Sequence, residues 1–126
     1  MAEKGKNKVL IKGSKMVYIE VSEEASEEEI MDLLDEIEEA LKVIGKDAEI
    51  LVNVATTIVI RSSIFRKRMA EQIKDMFEEY GFKKVSFFVS SLATRTIISF
   101  IIATTQLNNI RVFKSEKEAL KWLKKP

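Results

Sequence analysis

The 126 residues make one ordinary domain, and folding should bury roughly two-thirds of the surface that the unfolded chain exposes. At 46% hydrophobic and 33% charged, the composition is globular. With no Cys and no His, the chain excludes disulfides, thiolate and imidazole metal sites, cysteine nucleophiles and histidine acid–base catalysis. The formal charge of +1 conceals a segregation: residues 20–49 carry a net −11 and the rest of the chain a net +12. Such a dipolar surface either serves solubility or steers a partner and supports head-to-tail association.

The opening MAEKGKNK lacks the apolar core of a signal peptide, and residues 1–7 are expected to be flexible. Residues 9–12 and 15–21 are short apolar-rich runs separated by Gly13-Ser14, which predicts a β-hairpin. Ser26 followed by Glu29 is a capping box that opens a helix. Ile30, Leu33, Leu34, Ile37, Leu41 and Ile44 form its single apolar stripe, with acids opposite and Gly45 as the stop. Residues 50–54 are apolar except for Asn53 and predict a central strand covered on both faces. Residues 56–60 continue it as a loop or a strand extension. A second helix runs from about Ser62 to Tyr80, where Gly81 ends it. A buried strand at 84–89, a helix at 92–107, a short strand at 110–113 and a last helix opened by Ser115 and Glu118 complete the chain.

The order β-β-α-β-α-β-α-β-α demands a largely parallel sheet covered by helices. The expected architecture is a single α/β sandwich of about five mostly parallel strands and about four helices over residues 1–126. No stretch reaches the length of a membrane span. The run Arg66-Lys67-Arg68 shares its helix with Glu71, Asp75, Glu78 and Glu79, which is no nucleic-acid face. The abundant Lys and Glu, with few Gly, suit a thermophile.

The segment NVATTIVIRSSIF, residues 53–65, resembles the signature of the STAS family, the domain of anti-sigma-factor antagonists and sulphate transporters. In that family a strand ends in an acidic residue, a short loop follows, and an Asp-Ser-x-Gly-like turn opens the next helix. Here Asn53 stands at the strand end, Arg61 at the Asp position, Ser62 at the serine and Ile64 at the Gly. VSFFVSSLATRTIISFIIATTQL is similar to the later strand and helix of the fold. The close IRVFKSEKEALKWL resembles that of SpoIIAA-like proteins, a STAS branch grouped with lipid-binding SEC14 domains. The resemblance implies a non-catalytic cytoplasmic regulatory module, without cofactor or metal. Its protein partner would be a kinase or an anti-sigma-like regulator, switched by serine phosphorylation. The SEC14 grouping implies an alternative, a carrier or sensor of a lipid or another apolar small molecule.

Ser62 and Ser63 stand at a helix start, where a hydroxyl either caps the helix or accepts a phosphate. Arg61 and Arg66 would pair with such a phosphate, and Asn53, Thr56, Thr57 and Arg95 complete the candidate partner surface. Residues 96–103 are apolar around nearly the whole helix. Ile97, Ile98, Phe100 and Ile101 are therefore core, a homodimer face or the wall of an apolar ligand site. Trp122 is expected to anchor the last helix. Acids are plentiful on the first helix but solvated, and no pair of them is set against a nucleophile, so no residue is assigned a catalytic role.

Overall fold

The computed structural model describes residues 7–22, 25–54 and 63–125. Five strands, β1 (Lys8–Lys12), β2 (Met16–Val21), β3 (Glu49–Val54), β4 (Lys84–Phe88) and β5 (Ile110–Phe113), lie side by side in chain order. β1 is antiparallel to β2 and the other neighbours are parallel. The hairpin closes through Gly13, whose φ of 66° favours glycine. The helices are α1 (Glu27–Ile44), α2 (Ser63–Tyr80), α3 (Leu92–Thr105) and α4 (Glu116–Lys124). The α/β architecture expected from the sequence is therefore present, with four helices and a mixed, mostly parallel sheet. The expected flexible segment 1–7 lies outside the described residues except for Asn7, whose Oδ1 accepts a bond from the Ser22 backbone N–H at 2.6 Å.

Local chemistry explains the boundaries. The Ser26 hydroxyl accepts from Glu29 N at 3.1 Å, while the Glu29 carboxylate accepts from Ser26 N at 2.8 Å. Gly45, at φ 91°, ends α1 and donates to Leu41 O. At α4 the Ser115 hydroxyl accepts from Glu118 N at 3.2 Å.

Parity along the strands sorts the two faces. Val17, Ile19, Val21, Ile50, Val52, Val54 and Val85 meet the apolar stripes of α1, α2 and α3 in the main core. The opposite face carries Tyr18, Leu51, Asn53, Ser86, Phe88 and Phe113, and among the described residues α4 alone covers it, around a small cluster of Leu51, Ala119 and Leu123. Nine residues of α4 span the β3–β5 half. Tyr18 and Leu10, on the hairpin half, remain partly or largely exposed.

The main core is not filled. An apolar cavity of about 90 Å³ lies between the sheet, α1 and α2, and another of about 60 Å³ between the sheet, α2 and α3. Met69, Ile73 and Phe87 border both.

Candidate functional site

Because β2, β3 and β4 run parallel, each ends at the same edge of the sheet, and the helix that follows begins there. This carboxyl edge is where ligands and partners meet open α/β sheets. Thr56, Thr57, Arg61 and Ser62, and the expected loop or strand extension at 56–60, lie outside the described residues.

Ser63 is the first residue of α2 and is exposed. Ile64 follows at 72% exposed, and Phe65 turns into the core. Arg66 lies one turn along the same helix and is half-buried. The charges of α2 run against its dipole. Its first turn holds no acid, Arg66, Lys67 and Arg68 crowd its amino end, and Glu78 and Glu79 close it with no base in the last turn. α1 and α4 do the reverse, with glutamates in the first turn and lysine in the last, as the macrodipole favours.

Asn53 sits near the end of β3 on the α4 face and is half-buried. Its Nδ2 donates to the Tyr18 hydroxyl at 3.1 Å, and that hydroxyl donates to Glu20 Oε2 at 3.1 Å. Partial burial is the main cause that raises the Tyr18 phenol above its usual pKa. The Glu20 carboxylate adds to this and the Asn53 bond opposes it. The Lys12 ammonium stands 4.3 Å from the centre of the Tyr18 ring. Sequence reasoning missed this array. Its signal is the strand register, which sets Glu20 beside Asn53 and Tyr18 beside Leu51, and no single segment displays that pairing.

Arg95, in the first turn of α3, donates from Nη1 to Val89 O and Ser90 O, both at 3.1 Å. The guanidinium thus ties α3 to the end of β4. The four apolar residues named on α3 do not share one face. Ile98 and Ile101 are buried against the sheet, Ile97 is half-buried beside the core, and Phe100 is 63% exposed.

Among the described residues no acidic cluster is arranged to hold a metal ion, and no helix is long and apolar enough to cross a membrane. The elements define a small α/β sandwich whose helices begin along one carboxyl edge. A family model described as SpoIIAA-like matches residues 16–124, and the chain belongs to that family. Membership points to a regulatory domain of the anti-sigma-factor-antagonist type. A search of curated proteins found no match.

Proposed function

We propose that the chain is a non-catalytic regulatory module of the cytoplasm. It binds a protein partner, a kinase or an anti-sigma-like regulator, through the surface where β3 passes to α2, and Ser62 or Ser63 is its phosphate acceptor. The observation that carries this reading is the reversed charge order of α2. A phosphate at the amino end would bring nearly two negative charges to the positive end of the dipole and the cations Arg66 and Lys67. The modification would then stabilise the fold while replacing a basic surface with an acidic one. Arg61, Thr56 and Thr57 belong to the same proposed surface. Asn53, near the end of β3, and Arg95, whose guanidinium ties α3 to the end of β4, complete the proposed surface.

Incubating the protein with ATP and a soluble kinase fraction of its own cells, followed by phosphosite mapping, tests the switch. The expected result is label at Ser62 or Ser63 that disappears in the Ser62→Ala, Ser63→Ala double variant. Label at neither serine overturns the switch.

The paired cavities favour a second reading, that of a carrier or sensor for an apolar chain. Every residue bordering the larger cavity is apolar, so water there would lack the two to four polar partners it needs. Native mass spectrometry of protein taken from cells should then reveal a co-purifying lipid. A bare chain mass eliminates this reading.

A further inference from the structure

The two edges of the sheet are protected unequally. β1 carries Lys8 and Lys12, with Lys15 in the adjoining turn, and lysines on an edge discourage strand addition. β5, Ile-Arg-Val-Phe, has a single charge and contains no proline. Asn109 O and Phe113 O accept bonds from Val85 N and Val89 N, so alternate residues of this strand point their backbone inward to β4. Strand alternation turns the N–H and C=O groups of Ile110 and Val112 outward, where they meet no partner among the described residues.

We propose that two copies of this chain join along β5, antiparallel about a two-fold axis at Val112, so that the two sheets continue as one. The register follows from charge and hydrogen bonding. With Val112 opposite Val112 of the second copy, the two residues exchange both outward backbone bonds. Arg111, whose guanidinium lies 5.5 Å from the centre of its own Trp122 ring, then falls opposite Phe113 of the second copy in the closer, non-hydrogen-bonded pair, with Cα atoms about 4.5 Å apart, so that its charge faces an aromatic residue rather than another cation. A two-fold axis at Arg111 would instead oppose two like charges at that short distance. An axis at Ile110 would also exchange outward bonds but pairs Arg111 with Asn109 beyond the strand, whereas the axis at Val112 keeps Arg111, Val112 and Phe113 paired within β5, so the edge fits a second copy best in that register.

α3 supplies the rest of the interface. Ile102 borders the smaller cavity together with Met69 and Ile73, which turns that flank of α3 toward α2. At about 100° per residue, Ile97 and Phe100 occupy the opposite flank, on the β5 side. α3 carries no charge except Arg95, whose guanidinium is bonded to the end of β4. Extending the sheet brings the two α3 helices together across the seam. This buries Phe100, which is 63% exposed in the single chain.

Sedimentation of the full chain, together with amide hydrogen exchange, tests the proposal. Wild type should show twice the 14.4 kDa chain mass, with the Val112 amide slowed although its strand is an edge. Phe100→Lys, an exposed change that spares the fold, should halve the mass and release that amide, and Val112→Pro should halve the mass as well. Ile11→Lys, on the opposite edge, should leave the dimer intact. A wild type of single-chain mass at every soluble concentration overturns the proposal. So does a dimer whose Val112 amide exchanges freely. Neither readout depends on the serines, so it stands or falls separately from the phosphorylation switch.

Discussion

Lys84 shows how much one polar side chain carries in a small secondary core. Its Nζ donates to Trp122 O at 2.8 Å, which also accepts the Lys125 N–H, and to Lys125 O at 2.7 Å, so it binds the carbonyl end of α4. The same ammonium lies 4.8 Å from the centre of the Trp122 ring, and Trp122 packs on Phe113 at 5.9 Å. Charged hydrogen bonds are worth roughly 1.5–3 kcal/mol, less at a half-exposed site. Lys84→Ala should therefore lower stability by about 1–2 kcal/mol in a denaturant titration. Lys84→Met should recover the part that belongs to its aliphatic stem. Tyr80 contributes to alkaline behaviour. Partial burial, followed by the bond its hydroxyl donates to Glu38 Oε2 at 3.0 Å, pushes the phenol up to about 12. A raised folded-state value means that the unfolded chain ionises first, at about pH 10. The contribution to stability is complete below pH 10 and is lost as pH rises toward 12. Tyr80→Phe should flatten this part of the stability–pH curve, measured as the denaturant midpoint at each pH.

Among the elements, α2 is the one whose charges oppose its own backbone. Ser63→Asp places a carboxylate at the positive end and should stabilise the fold by about 0.3–1 kcal/mol. Glu78→Lys, at the far end, should give a similar gain, and the two should add because they lie several turns apart. Thermal melting of the two single variants and the double variant checks both claims, and an additive rise in midpoint is the expected result. Much of the architecture was readable at this scale. The spacing of Ser26, Glu29, Ile30, Leu33 and Ile37 dictates where α1 begins and which side it buries, because capping and amphipathicity are local properties. The apolar run around Asn53 correctly indicated a central strand. The partial cover over Asn53 was not readable, because it depends on the reach of a nine-residue helix whose register on the sheet is a tertiary fact. α3 was ambiguous for a related reason. Its residues are apolar nearly all round, so periodicity could not separate Ile98 and Ile101, which face the sheet, from Phe100, which does not. Of the candidate site, the helix start and its cations were legible. The Tyr18–Asn53–Glu20 chain and the bonds of Arg95 to β4 were not, since each joins groups whose meeting depends on how the chain folds around them.

At the scale of the whole molecule, acidic charge is concentrated on α1. This helix packs on one face of the sheet and carries exposed Asp32, Asp35, Glu36 and Glu39, whereas α4 packs on the other with Lys117, Lys121, Lys124 and Lys125 around it beside Glu116 and Glu118. Two opposite effects compete. Attraction between the faces acts across the thickness of a helix, a sheet and a helix, with face-to-face layers about 10 Å apart. Repulsion among the carboxylates acts between neighbours on one helix surface, about 5–6 Å apart. The Debye length is about 8 Å at physiological ionic strength, so the shorter-range repulsion outweighs the longer-range attraction. Among the described residues, the ion pairs that form are weak. Lys42–Glu39 at 3.2 Å is exposed, and Lys83–Glu49 at 3.8 Å lies away from α1. Exposed pairs of this kind contribute at most about 1 kcal/mol. The melting temperature should therefore rise as sodium chloride is added from low concentration. Glu36→Lys, on the exposed side of α1, should raise stability at low salt and reduce the salt response. A melting temperature that falls with added salt would show instead that attraction between the faces, or between one molecule's acidic face and another's basic face, dominates the electrostatics.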